Sequence, residues 1–467
     1  MWAVLLFVYV YSLFVLGYSL LVGAVYLSQL LISIIVVTGR RRAAPFAGLD
    51  DLFDSPLTPA ISIIVPAYNE AANIVQSVRS LLNLRYPRYE VVVCNDGSKD
   101  DTLAILTREF AMRRLDAVFP QPIPTAPVRG VYVSTIEPNL TVVDKANGGR
   151  SDALNGAMNH ARCPLYCCVD ADSILVPDAL LKVVRPFVER PELTVAVGGT
   201  IGIANGVRIE RGSVIEIGMP RSPLARFQII EYMRAFIGGR TAWSHLNSLM
   251  IVSGAFGLFR RDLAVELGGY RTDTVGEDAE LTTHIHQYMR ERGRKYRIEF
   301  VEDTCCWTEA PETLKILKSQ RRRWHRGCFE FLAMHRGLLN PRYGPPAWLG
   351  YPYFFIVELM GPVVEASGYF VLVVSIAFGL INLRYALLLG LVVLCFGVLV
   401  TLGTLILDEF SFAHYGRWRD ILILFLFSLL ENLGYRQLTV IWRLQGLYDL
   451  ARGAKGWGVM ERKGLGA

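Results

Sequence analysis

The chain has 467 residues, 52% of them hydrophobic and only 19% charged, with a net charge of +6. Soluble proteins average about 25% charged residues, so a purely soluble enzyme is excluded. Disorder, collagen and a small secreted disulfide scaffold are excluded as well. The basic excess is local, in Arg40, Arg41 and Arg42 and in Lys315, Lys318, Arg321, Arg322, Arg323 and Arg326, each cluster beside an apolar segment. A nucleic-acid binder would spread such residues over a folded face among aromatics, so no nucleic-acid partner is expected.

Residues 1–39 carry no charge and predict one membrane-spanning helix. No basic n-region or cleavage site marks them as a signal peptide. The arginine triplet should stay cytoplasmic, which puts the N-terminus outside. Residues 40–59, with Pro45, Gly48, Pro56 and Pro59, read as a basic linker. From 60 to 330 the composition is that of a globular domain. Apolar runs at Ile61–Val65, Val91–Cys94, Val131–Ser134, Leu165–Val169 and Val195–Thr200 predict buried strands, with a helix over Asn69–Asn83 and others between. Such alternation gives an α/β fold with a mostly parallel sheet, whose ligands sit at the carboxyl ends of its strands.

Residues 331–448 form the second membrane region. Between Tyr343 and Asn382 only Glu358 and Glu365 are charged, and 385–407 are uncharged. Two firm spans are expected here, with 421–448 at the interface or re-entering, so that the basic tail 449–467 (Arg452, Lys455, Arg462, Lys463) is cytoplasmic. Eight cysteines show no CxxC spacing and read as buried and reduced.

The acids fall at strand ends. Pro66–Glu70 and Asn95–Asp101 end the first two strands, where Asn69, Glu70 and Asp96 could meet a nucleotide. Asp170 and Asp172 flank one small residue after an apolar strand, a pair suited to a hard cation bridging a diphosphate. Lys145 precedes a helix and could neutralise phosphate charge. Glu277 and Asp278 open an amphipathic helix marked by Leu281, Ile285 and Met289. Gln320, Arg321, Arg322, Arg323 and Trp324 lie just before the second membrane region, where Arg and Trp could hold a diphosphate and stack a sugar.

Taken in order, PAYNE (66–70), NDGSKDD (95–101), DAD (170–172), GED (276–278) and QRRRW (320–324) resemble the processive membrane glycosyltransferases of family 2, which include cellulose, hyaluronan, chitin-oligosaccharide and poly-N-acetylglucosamine synthases. The resemblance covers about 60–330. It implies an A-type glycosyltransferase fold and inverting transfer from a UDP-sugar to a polysaccharide or oligosaccharide acceptor. It also implies a plasma-membrane enzyme in contact with lipid, with room for accessory export proteins. Carried over by position, Tyr68, Glu70 and Asp96 would hold uridine and Lys145 would contact UDP. Asp170 and Asp172 would bind Mg²⁺ or Mn²⁺. Asp278 would be the general base, Gln320, Arg323 and Trp324 would lie near the diphosphate and acceptor end, and Ser253, Gly254 and Ala255 would line the acceptor site. Gly276 stands where Thr is commoner, a departure expected to leave the base untouched. Residues 325–467 show neither the cyclic-dinucleotide domain nor the gating-loop motif of the cellulose synthases, so control by a cyclic dinucleotide and a cellulose product are not expected.

A processive synthase that extrudes its own product is the leading expectation; a single-addition transferase acting on a lipid or lipid phosphate is the alternative. Glu358 and Glu365, seven apart, share one helical face. That face is expected to line a polymer-conducting channel beginning near Trp324, with pairing to Arg384, Arg436 or Arg443 as the alternative.

Overall fold

The computed structural model describes residues 2–43, 48–210, 213–412 and 414–453. Short β-branched runs between turn residues become the strands β1 (Ile61–Ala67), β2 (Tyr89–Asp96), β3 (Met112–Leu115), β4 (Val128–Ser134), β5 (Leu140–Lys145), β6 (Leu165–Val169), β7 (Ser173–Leu175) and β8 (Thr194–Ile203). A separate hairpin of β9 (Arg208–Glu210) and β10 (Ser213–Glu216) follows, then β11 (Phe256–Arg260) and β12 (Arg297–Thr308). Ten strands form one sheet in the order β3-β4-β5-β2-β1-β6-β11-β8-β12-β7. Its centre, β5-β2-β1-β6, is parallel, and β8 pairs parallel with β12. Only β4, β11 and β7 run against the other seven strands of this sheet. The sheet is thus mixed but mostly parallel. Its central residues Ile63, Ile64, Val92, Val142 and Cys167 have no exposed surface.

Two expectations change in detail. The first helix begins at Ile74, not Asn69, because Asn69 takes a left-handed φ of 56° and turns the chain before helix can start. Val131–Ser134 is a strand but antiparallel to its neighbour. The parallel partner of β2 is β5, a run ending in Asp144 and Lys145 that sequence reading passed over. That register sets Lys145 directly opposite Asp96.

Among the described residues, four stretches are long and apolar enough to cross a membrane: Trp2–Arg40, Pro346–Ala377, Ala386–Phe412 and Trp418–Ala451. The end of the first is fastened to β12, where Arg40 donates to the Phe300 carbonyl (2.8 Å) and pairs with Glu302 (2.8 Å) and Glu299 (3.4 Å). The fourth is interrupted at Leu433 and at Gly434, whose φ is 99°. Its two ends touch the same soluble domain. Arg417, just before it, pairs with Glu216 (2.5 Å), and Asp449 near its close accepts from Arg322 (2.7 Å). Between them the Tyr435 ring stacks on Phe227 at 4.5 Å.

Glu358 and Glu365 are engaged by arginines of this last segment. Glu365 takes both Arg436 nitrogens at 2.8 and 3.1 Å, and Glu358 takes Arg443 at 2.9 Å. The pairing reading therefore holds for both acids. The linker contains a short helix, Leu49–Asp54, while Pro45 lies outside the described residues, as do Lys455, Arg462 and Lys463 of the tail. All eight cysteines are free thiols.

Candidate active site

Two strand-end loops are tied together at the first part of the site. The Ser98 hydroxyl accepts from Asn69 N (3.0 Å), Asn69 Oδ1 accepts from Lys99 N (2.8 Å), and Asp100 accepts from Ala71 N (3.1 Å). Burial works against the Asp100 carboxylate, but hydrogen bonds from Thr102 and Ala71 outweigh it and hold its pKa below the usual range. Tyr68 stands 43% exposed on this rim, whereas Glu70 is buried beneath it.

Asp96 and Lys145 face inward. Lys145 has no exposed surface, and its ammonium donates to Asp96 (2.6 Å), to the Ala146 carbonyl (2.7 Å) and to Asp152. Burial opposes this charge, yet the two carboxylates raise its pKa above the ordinary lysine value. Asp96 also accepts from the amides of Gly148 (3.0 Å) and Gly149 (2.8 Å) and from Asn147 Nδ2 (3.1 Å). The pair thereby shapes the 146–149 loop from below. A Cβ on Gly97, φ 65°, would fall 2.8 Å from the Asn147 amide nitrogen, so only glycine lets these loops meet.

The helix Arg150–His160 then delivers a residue that sequence reading missed. Arg150 donates to Asp170 Oδ1 through Nη2 (2.6 Å) and Nε (3.1 Å), to the Gly254 carbonyl (2.7 Å) and to Glu277. It joins the DAD, SGA and GED segments at one point. Burial opposes its charge, but Asp170 and Glu277 win and lift its pKa well above the ordinary value. Burial in turn pushes the Glu277 carboxyl up to about 7, against the pull of Arg150. A signal was present: a cation in the first turn of a helix runs against the dipole, so Arg150 stands where an ordinary helix would avoid it.

Asp278 is held differently. Its oxygens accept from the backbone amides of Gly254 (2.9 Å) and Ala279 (2.8 Å). Ser253 opens the same turn, its carbonyl accepting from Phe256 N at 3.2 Å. Gln320, Arg323 and Trp324 occupy the helix Leu314–Met334 at i, i+3 and i+4, hence on one face. Burial lowers the Arg323 pKa, opposed chiefly by the nearby charge of Glu277, with Asp170 and Asp278 also acting on it. Trp324 is 43% exposed, with the Arg321 guanidinium 4.4 Å from its ring centre. Gln320 Oε1 is enclosed without a hydrogen-bond partner. Asp170, Gly254 and Asp278 are thus brought together with Arg323 within reach of their charge, while Asp96 and Lys145 support from beneath.

Asp170 and Asp172 could hold a divalent cation. Among the described residues no group of three or more His, Cys, Asp and Glu could cage one. Two carboxylates on one strand end instead suit Mg²⁺ or Mn²⁺, which completes its shell with phosphate oxygens and water.

Gly276 has a reason of its own. A Cβ there would sit 3.0 Å from the Gly327 Cα, and one on Gly327 would meet Gly276 equally closely. The GED turn and the QRRRW helix touch backbone to backbone.

The sheet with its acids at the strand ends defines a glycosyltransferase of the A-type fold. In fold the chain resembles a mannosyltransferase, PcManGT from Pyrobaculum calidifontis, solved in complex with GDP-Man and Mn²⁺. The TM-score is 0.52 at 19% identity, covering 90% of this chain and 99% of that one. The model of the family described as "Glycosyltransferase like family 2" matches residues 59–327, and the chain belongs to that family. It is 27% identical over 273 residues to the poly-beta-1,6-N-acetyl-D-glucosamine synthase of Staphylococcus epidermidis. It is 28% identical over 273 residues to the synthase of the same name from Staphylococcus aureus strain COL. Each match spans 58% of this chain and 55% of the relative, about half the length of those synthases.

Proposed function

We propose that the protein is an inverting, processive hexosyltransferase that moves sugar from a UDP-sugar to a growing polysaccharide and extrudes it through its own helices. The observation carrying this reading is the state of Asp278. Two backbone amides hold it beside the Arg150–Asp170 pair, so the carboxylate is oriented without being neutralised by a salt bridge. A base so placed can take the acceptor proton late, as that oxygen becomes acidic through attack on the anomeric carbon. Arg150 and Arg323 bring positive charge to where the leaving diphosphate develops negative charge. Asp170 and Asp172 would hold Mg²⁺ or Mn²⁺, which supplies further charge to that leaving group. Tyr68 at the rim and Glu70 beneath it would receive the uridine, with Asp96 and Lys145 setting the 146–149 loop. Trp324, Ser253 and Gly254 would meet the acceptor.

Processivity is supported by the similarity to the two poly-N-acetylglucosamine synthases and by the membrane helices flanking the domain. For topology the reading is three crossings with the catalytic domain and tail cytoplasmic, the Trp418–Ala451 segment starting and ending on one side. That is supported by its contacts to Glu216 and Arg322. Incubating membranes with a panel of labelled UDP-sugars and sizing the product tests the whole reading. A ladder of long products from one donor is expected; a product with one sugar per lipid acceptor would overturn processivity.

A further inference from the structure

The helix carrying Asp278 has no cap of its own. Its N-cap is Gly276, which offers no side chain to its first amides. The turn before it is held instead from another helix. Glu330, on Leu314–Met334, accepts from the Thr274 hydroxyl (2.8 Å) and from Val275 N (2.9 Å) through one oxygen, Oε2. Thr274 Oγ1 in turn accepts from Gly276 N (3.1 Å). The other Glu330 oxygen lies 3.4 Å from Arg326 of its own helix. The same two helices meet at the Gly276–Gly327 contact, and again at His335, which bridges Glu280 (2.9 Å) and Gln287 (2.8 Å).

We infer that Glu330 is a positioning residue: it sets the turn that aims Asp278, and it binds the GED and QRRRW segments into one unit with a fixed base-to-arginine geometry. Glu330 touches no reacting atom in this scheme. It acts through Thr274, Val275 and Gly276 on the first turn of the Asp278 helix, and the inference rests on Asp278 being the base. A carboxylate at this helix start also suits the helix dipole. Small displacements of a base cost rate more than affinity, on the order of ten- to a hundredfold for shifts near 1 Å.

The test compares Glu330→Ala, Glu330→Gln and Thr274→Val in the full-length protein in detergent, with kcat, KM for the donor and UDP affinity measured on each. Glu330→Ala should lower kcat about tenfold or more with UDP affinity within about twofold. Glu330→Gln, which keeps an acceptor oxygen, should recover most of the rate. Thr274→Val should fall in the same direction, and the double variant should be no worse than Glu330→Ala, because both act through one turn. Unchanged kcat in Glu330→Ala, loss of UDP affinity in parallel with kcat, or additive losses in the double variant would each overturn the inference. Asp278→Asn serves as the control. If it retains turnover, the base assignment itself fails; if it is dead while Glu330→Ala is normal, only the positioning role fails.

Discussion

The acids at the strand ends and the acids at the membrane junction are the same residue types held in opposite ways. At the junction each of Glu358, Glu365, Glu431 and Asp449 is met by an arginine side chain from another element: Arg443, Arg436, Arg234 and Arg322. In the candidate site Asp278, in the first turn of its helix, is met by two amides, and the strand-end Asp170 shares its arginine with Glu277. An amide orients a carboxylate and leaves its charge available, whereas a dedicated guanidinium cancels it. On the proposed function the first region would act on a substrate, whereas the second fastens helices to a domain.

The sharpest way to break this contrast is at the metal pair. Asp172→Asn should reduce sugar transfer by about a thousandfold, as should excess chelator on the wild type, measured with labelled donor. Full activity in chelator would leave the strand-end acids no more functional than those of the junction. Asp278→Asn comes next. Transfer should fall about a hundredfold while UDP binding, read by calorimetry, stays close to wild type.

The junction acids should respond quite differently. Glu365→Leu leaves Arg436 without its carboxylate inside a segment apolar enough to cross a membrane, so the stability cost should be on the order of a few kcal/mol. The Glu358→Leu, Glu365→Leu double variant should keep its initial transfer rate within about twofold and its product length unchanged. Shortened polymer with normal UDP binding would mean that this face is a wet polymer path after all, and the contrast would collapse.

The smallest effect expected is one of pH. Glu277 carries a pKa raised by burial from 4.5 to about 7. A raised folded value means that its contribution to stability is complete below pH 4.5 and is lost as pH rises through 7. Relative to Glu277→Gln, the wild-type Tm should therefore fall across pH 4.5–7. A constant difference would show Arg150 keeping Glu277 ionised throughout, and the strand-end region would then hold one fully cancelled pair of the junction kind.

Much of this was legible in the residues. Alternating apolar runs imposed an α/β sheet, because strands buried on both faces must be continuously apolar, and the acids that followed them had to stand at the strand ends. The uncharged stretches announced membrane helices by length alone. What composition could not decide was which charges meet. Lys145 reads as a cation available to a phosphate, yet the β2–β5 register buries it against Asp96. Arg150 sits among unremarkable neighbours and becomes the junction of three motifs only when the β6, Gly254 and Glu277 segments converge on it. Glu358 and Glu365 share a face by helical period, but their partners lie 85 and 71 residues away in sequence. Local periodicity is a short-range property that sequence displays directly; pairing between distant charges depends on strand order and helix docking, and those exist only once the chain has folded.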